Sequence, residues 1–262
     1  MEIKKDYRRI PLWITSPETE YYAKALEGAD KRDSAVVLGA IPYLRDIAAR
    51  GSRQVTVVEQ NSLQLLKATA ALEWADPKKE IWLHTDFFSF PFSEHSFDTV
   101  LGDLLWSRFR EKDQRRLRDR IARMLSANGI FVSRFYFRDS SREQDPFVLL
   151  QYYLERMERD PALKDKLLHI AFLRITDLLS DQNTPIMDRR VTAEFIRGVS
   201  HRFTNTVAAQ LAAKIEHWMS GFNYTIQTRT QILKQLEEKF IIQEESPMIE
   251  GVFCVLSLKV RN

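Results

Sequence analysis

Ala35-Val36-Val37-Leu38-Gly39-Ala40-Ile41-Pro42-Tyr43-Leu44-Arg45-Asp46-Ile47-Ala48 is the stretch whose reading decides the fold. An apolar run of strand length ends at Gly39, Pro42 follows, and a helical pattern begins. Four apolar residues in a row predict a strand buried on both faces, as in a parallel sheet. Proline suits the first turn of a helix, where its missing N–H has no intrahelical partner to lose. It also holds Ile41 away from helical angles. Twenty residues past Gly39 a second run, Val55-Thr56-Val57-Val58, ends in Glu59. Strand, tight turn, helix, and strand with a terminal carboxylate make the opening βαβ unit of an open sheet that takes a nucleotide at its carboxyl edge.

Outward from that unit the chain keeps alternating. Before it, 1–34 reads as a polar leader with Tyr7, Trp13 and Tyr21-Tyr22 as anchors. Within the leader, Ser16-Pro17 opens a helix over 17–28 that Gly28 stops, with Tyr21, Tyr22, Ala25 and Leu26 inward. After it, the helix from Pro42 runs to Arg50 and closes at Gly51. Ser62 caps a helix over 63–74, with Leu63, Leu66, Ala70 and Trp74 at inward spacing. Strands follow at 81–85, 97–101 and 130–136, with an aromatic loop, Phe87 to Phe92, after the first of them. A helix over 111–126 has an apolar stripe of Leu117, Ile121, Met124 and Leu125, an arginine-rich outer face, and an end at Asn128-Gly129. Residues 139–222 break the alternation with three helical patterns, marked by Phe147 to Met157, Leu163 to Leu178 and Leu211 to Met219. A helix over 229–239 and strands at 240–244 and 251–260 close the chain, and the short turn between those strands permits only an antiparallel hairpin. The organisation expected is a leader (1–34), an α/β core (35–138), a helical insertion (139–222) and a C-terminal helix and hairpin completing the sheet (223–262).

Composition narrows the class. Hydrophobic residues are 44% of the chain and charged residues 29%, the balance of a soluble globular protein. No apolar run exceeds six residues, far short of a membrane span, and the N-terminus has no apolar signal region. The single cysteine, Cys254, excludes an internal disulfide and a cysteine-based zinc site. It suits a reducing cytoplasm. A net charge of +3 does not by itself argue for nucleic acid.

A parallel sheet closed by an antiparallel hairpin resembles the class I S-adenosylmethionine-dependent methyltransferases, whose Rossmann-like, seven-stranded sheet has its last strand reversed. The resemblance covers about 35–137 and 225–260. It is carried by Leu38-Gly39-Ala40-Ile41-Pro42, by Glu59, by Thr85-Asp86, by the segment Phe92-Ser93-Glu94-His95-Ser96-Phe97-Asp98-Thr99-Val100, and by the Asn128-Gly129 turn before strand five. The family's first loop has two or three glycines, whereas here Gly39 stands alone.

The resemblance implies S-adenosylmethionine as cofactor and Gly39, Ala40, Glu59, Gln60, Asp86, Phe87 and Asp103 as the residues around it. Glu59 can accept both hydroxyls of a ribose, which fits adenosine and equally a nicotinamide dinucleotide. Asp86 and Phe87 would meet the adenine, and Asp103 the methyl-bearing end, where Leu104 and Trp106 form a wall. The insertion falls on the substrate side. Tyr152, Tyr153, Phe172, Trp218, Phe222 and Tyr224 would shape its pocket, and His169, His201 and His217 are the candidate bases. No catalytic residue is assigned, and no histidine pair has metal-ligand spacing on one helix face. The expected partner is a small-molecule acceptor, with a homodimer or a protein partner as further options. Three rival readings stand beside the enzyme: a partner-binding subunit that has lost cofactor, a nicotinamide-linked reductase, and a nucleic-acid methyltransferase suggested by the arginines of 110–123.

Overall fold

The computed structural model describes residues 16–27, 32–138, 144–181, 183–219, 224–248 and 250–261. Tyr7, Trp13, Gly28 and Phe222 lie outside the described residues. The chain divides into two compact units. One runs through Phe137 and resumes at Arg229–Asn262, and the other is Arg138–Thr228.

The first unit is an α/β sheet. Its strands are β1 (Arg32–Leu38), β2 (Ser52–Val58), β3 (Glu80–Leu83), β4 (Phe97–Asp103), β5 (Leu125–Tyr136), β6 (Phe240–Glu245) and β7 (Phe253–Val260). Their order is β3-β2-β1-β4-β5-β7-β6, and β7 alone runs against the rest. The helices are α1 (Ser16–Glu27), α2 (Pro42–Gly51), α3 (Ser62–Thr69), α4 (Glu111–Met124) and α9 (Arg229–Glu237). Strand β1 shows why its run is all apolar. Ala35 and Val37 enter a core with Tyr22, Leu44, Ile47 and Ala68, while Val36 and Leu38 enter a second core with Leu117, Ile121, Ile232 and Leu236. Helices cover both faces, so neither side of the strand meets water. Connections from β1 lead one way to β2 and β3, and the chain then returns to place β4 on the other side of β1. That reversal opens a crevice beyond the carboxyl ends of β1 and β4.

Several local expectations are corrected. The cap of α3 is Asn61, whose side chain accepts the Gln64 amide at 3.0 Å, not Ser62. The helix stops at Thr69, and Leu65 and Ala68 form its buried face. Leu63, Leu66 and Trp74 are exposed, Trp74 by 67%. The cause is Asp46 on α2, whose carboxylate accepts the amides of Glu73, Trp74 and Ala75 at 3.1, 2.9 and 2.7 Å and ties down the chain that would have continued the helix. Its neighbour Arg45 is fully buried and pairs with Glu80 on β3 and with the Thr69 hydroxyl. Strand β3 ends at Leu83, so His84 is exposed beyond it. Helix α2 ends with Gly51 as its last residue. Helix α4 ends at Met124, because Leu125 already pairs with Phe97 and β5 begins there with a register shift.

The second unit contains four helices among its described residues: α5 (Pro146–Arg159), α6 (Lys164–Leu179), α7 (Arg189–Val199) and α8 (Asn205–Met219). Three correspond to the expected patterns. The fourth, α7, sits where the charged run Asp188-Arg189-Arg190 hid a helix start. Asp188 caps it by accepting the Arg190 amide at 3.0 Å, and Thr192, Ala193 and Ile196 form its buried stripe. Helix α6 is buried from Leu167 to Asp177 and makes the centre of the unit. Met219, expected inward, is exposed. No helix among the described residues is long and apolar enough to cross a membrane.

Candidate functional site

Gly39 ends β1 in the left-handed region, with φ of 106°. Its amide donates to the Val58 carbonyl at 2.8 Å, which turns the loop at the carboxyl edge of the sheet. A side chain there would be strained, and the absent Cβ leaves the backbone open to close approach. Glu59 completes the turn from the neighbouring strand end. One of its carboxylate oxygens accepts the Ala40 amide at 3.2 Å and the other the Asn61 amide at 2.8 Å. Each oxygen keeps a further lone pair for an outside donor. Gln60 is exposed beside it. Helix α2 begins directly after this turn, with Ile41 as a cap that makes no side-chain bond and Pro42 in the first turn. Its positive end is therefore aimed at the crevice.

Asp86 caps the aromatic loop. Its carboxylate accepts the Phe88 amide at 2.7 Å. The Ser89 hydroxyl and the Phe88 amide hold its carboxyl below the usual carboxylate value. Phe87 and Phe88 meet Phe109 edge-on at 6.2 and 5.1 Å. The arginines of α4 grip the same loop from outside. Arg116 lies 4.6 Å over the Phe88 ring, and Arg120 lies 4.8 and 4.5 Å over Phe90 and Phe92. Arg123 pairs with Glu94, and Arg118 is buried against Glu238 and the Gln235 carbonyl. Arg118 and Arg120 are thus engaged within the unit, while Arg115, Arg116 and Arg123 remain more than half exposed.

Asp103 is turned into the protein, 4% exposed. Its two oxygens accept from Arg134 Nε and Nη2 at 2.7 and 2.9 Å, and Glu18 on α1 takes the remaining nitrogen. The Tyr22 hydroxyl enters the same cluster between two strands. It donates to the Gly102 carbonyl at 2.7 Å and accepts the Arg134 amide at 2.6 Å. Burial, with Asp103 beside it, pushes the Tyr22 phenol well above its ordinary pKa. Burial opposes the charge on Arg134, yet Asp103, Tyr43 and Glu18 together hold that guanidinium well above its ordinary value. The Tyr43 hydroxyl, on the first turn of α2, is buried beside Asp103, and burial with that carboxylate pushes its phenol well above the ordinary pKa. Tyr22→Phe is expected to lower stability by about 1–3 kcal/mol, the cost of leaving two backbone groups unsatisfied. Urea unfolding measures it, and an unchanged midpoint would mean that the strands close over the gap.

Leu104 and Trp106 are both interior, and Leu104 adopts φ of 48°. A leucine at positive φ is an outlier of the kind that collects at functional sites. The sequence reading missed Glu18, Tyr22 and Arg134. One signal was available: a lone arginine in the apolar run Ile130–Tyr136 must find an acid.

In the helical unit, Tyr153 is buried and its hydroxyl accepts from Arg174 at 3.2 Å, while Tyr152 is exposed. His169 packs edge-on against Trp218 at 5.0 Å, and Phe172 and Tyr224 join the same cluster. His201 and His217 are exposed. Among the described residues no group of three histidines, cysteines or acids is placed to hold a metal ion.

Residues 38–133 match the family model described as a methyltransferase domain. This segment is similar to a methyltransferase domain. The fold around the domain agrees. N-methyltransferase NodS from Bradyrhizobium japonicum WM9, in complex with S-adenosyl-L-homocysteine, is 12% identical with a TM-score of 0.51, covering 95% of this chain and 89% of that one. An S-adenosylmethionine-dependent methyltransferase from Mesorhizobium loti is 13% identical with a TM-score of 0.53, covering 92% and 97%. The Burkholderia thailandensis 1,6-didemethyltoxoflavin-N1-methyltransferase, with bound 1,6-didemethyltoxoflavin and S-adenosylhomocysteine, is 11% identical with a TM-score of 0.52, covering 93% and 78%. Comparison with the curated protein sequences found no match. Within residues 38–133 stand a Gly39 turn at positive φ and a carboxylate, Glu59, with lone pairs to spare.

Proposed function

We propose that this chain transfers a methyl group from S-adenosylmethionine to a small organic acceptor in the cytoplasm. The observation that carries the reading is Glu59. Its carboxylate is braced by the Ala40 and Asn61 amides at the mouth of the β1–α2 turn, and each oxygen keeps a lone pair that a ribose hydroxyl would use. When bound, S-adenosylmethionine supplies a methyl already activated on a sulfonium. The chain's own part is to bind, orient and exclude water. Gly39 and Ala40 would lie along the cofactor, the α2 terminus would face its carboxylate, and Phe87 would border the base. NodS and the toxoflavin enzyme support a small acceptor by analogy of fold.

The test is calorimetric titration with S-adenosylmethionine. Wild-type protein is expected to bind, and Glu59→Ala to bind at least tenfold more weakly. Equal affinity would remove Glu59 from the ribose. A partner-binding subunit is the second reading, favoured by the lone glycine and by Pro42 in the first turn of α2, which offers no amide there. Absence of heat at millimolar cofactor would select it.

A further inference from the structure

The helical unit contains a cleft of about 740 Å³ where α7 begins, with Leu179, Ile186, Met187, Arg189, Val191 and Met219 along its wall. That volume suits a small organic ligand. Leu179, Ile186, Met187, Val191 and Met219 form the apolar part of the wall, and the two methionines can adapt to a ligand's shape. Three further charged residues border the cleft. Asp188 and Arg190 pair with each other at 2.7 Å at the surface, and Asp181 accepts the Asn183 amide at 2.9 Å. Arg189 differs from all of these. It is only 5% exposed, and its guanidinium lies 4.5 and 5.2 Å over the rings of Trp218 and Tyr224. Nη1 donates to the Trp218 carbonyl, but Nε is buried without a partner. No carboxylate of the described residues pairs with it. The stacked rings offset part of the cost of burying this charge. Hydrogen bonds to the Trp218 carbonyl and to Tyr224 offset more of it, but no carboxylate neutralises the charge. Burial accordingly lowers the Arg189 pKa.

We infer that this cleft binds a small organic molecule with an apolar body and one carboxylate, the body against Leu179, Met187 and Met219 and the carboxylate directed to Arg189. A carboxylate supplies the missing counter-charge and matches the guanidinium fork. The site goes beyond methyl transfer and stands whether or not the sheet unit binds S-adenosylmethionine.

The experiment titrates the full chain with 4-phenylbutyrate and with the uncharged 4-phenylbutanol, followed by ligand-observed NMR. The acid is expected to bind saturably and the alcohol at least tenfold more weakly. Arg189→Gln is expected to weaken the acid at least tenfold and leave the alcohol unchanged. Ile186 is 45% exposed, so Ile186→Trp can fill the cleft without entering the core, and it is expected to abolish binding of the acid. This second variant decides the matter if Arg189→Gln fails to fold. No saturable binding of the acid, equal affinity for acid and alcohol, or full affinity in folded Ile186→Trp would each overturn the assignment.

Discussion

Arg134→Ala is expected to lower the stability of the chain by about 3–5 kcal/mol, measured by urea unfolding. The side chain bridges Asp103 on β4 and Glu18 on α1, and all three are nearly inaccessible to water. Removing the guanidinium takes the Arg134 counter-charge from two buried carboxylates. They must then either ionise in a poor solvent or take up protons, and both routes favour the unfolded chain. The loss should shrink as pH falls, because protonated acids no longer need the cation. Glu18→Gln combined with Asp103→Asn in the Arg134→Ala background should recover part of the loss for the same reason. A loss below about 1 kcal/mol would place the cluster in the same class as exposed ion pairs.

Gly39→Val is expected to carry the largest effect on ligand binding. At φ of 106° a β-branched residue is forced into a conformation that L side chains rarely adopt. The strain is of order 1–3 kcal/mol. It is relieved only if the turn shifts and pulls the Ala40 amide away from Glu59. Both the close backbone approach and the braced carboxylate are then lost, so affinity for S-adenosylmethionine should fall by well over tenfold while the far-UV circular dichroism stays native. Binding within threefold of wild type would show that the turn does not border the cofactor.

Much of the fold was legible in local pattern. The run at 35–38 is apolar throughout because both of its faces are covered, and periodicity reports burial directly. The turn at Gly39 was legible because few other residues tolerate its φ. Helix α3 was overextended because nothing local announces that Asp46, 27 to 29 residues away, holds the amides of Glu73 to Ala75. Helix α7 was missed because its start is a charged run, and only the Asp188 cap and the buried Thr192, Ala193 and Ile196 distinguish it from a solvated face. The arginines of α4 read as a basic surface in sequence. In space two of them, Arg116 and Arg120, lie over the rings of Phe88, Phe90 and Phe92.

By itself, the sequence determined the alternation of strands and helices, the turn at Gly39, the carboxylate at Glu59 and the closing hairpin, all of which depend on residues within one or two turns of each other. Tertiary structure decided the rest. A hairpin can lie on a sheet edge in either order, and packing chose to insert β7 between β5 and β6, where it is paired on both sides. Only the third dimension could bring Glu18, Tyr22, Asp103 and Arg134 together, because a buried charge is satisfied by whichever partner the fold places beside it.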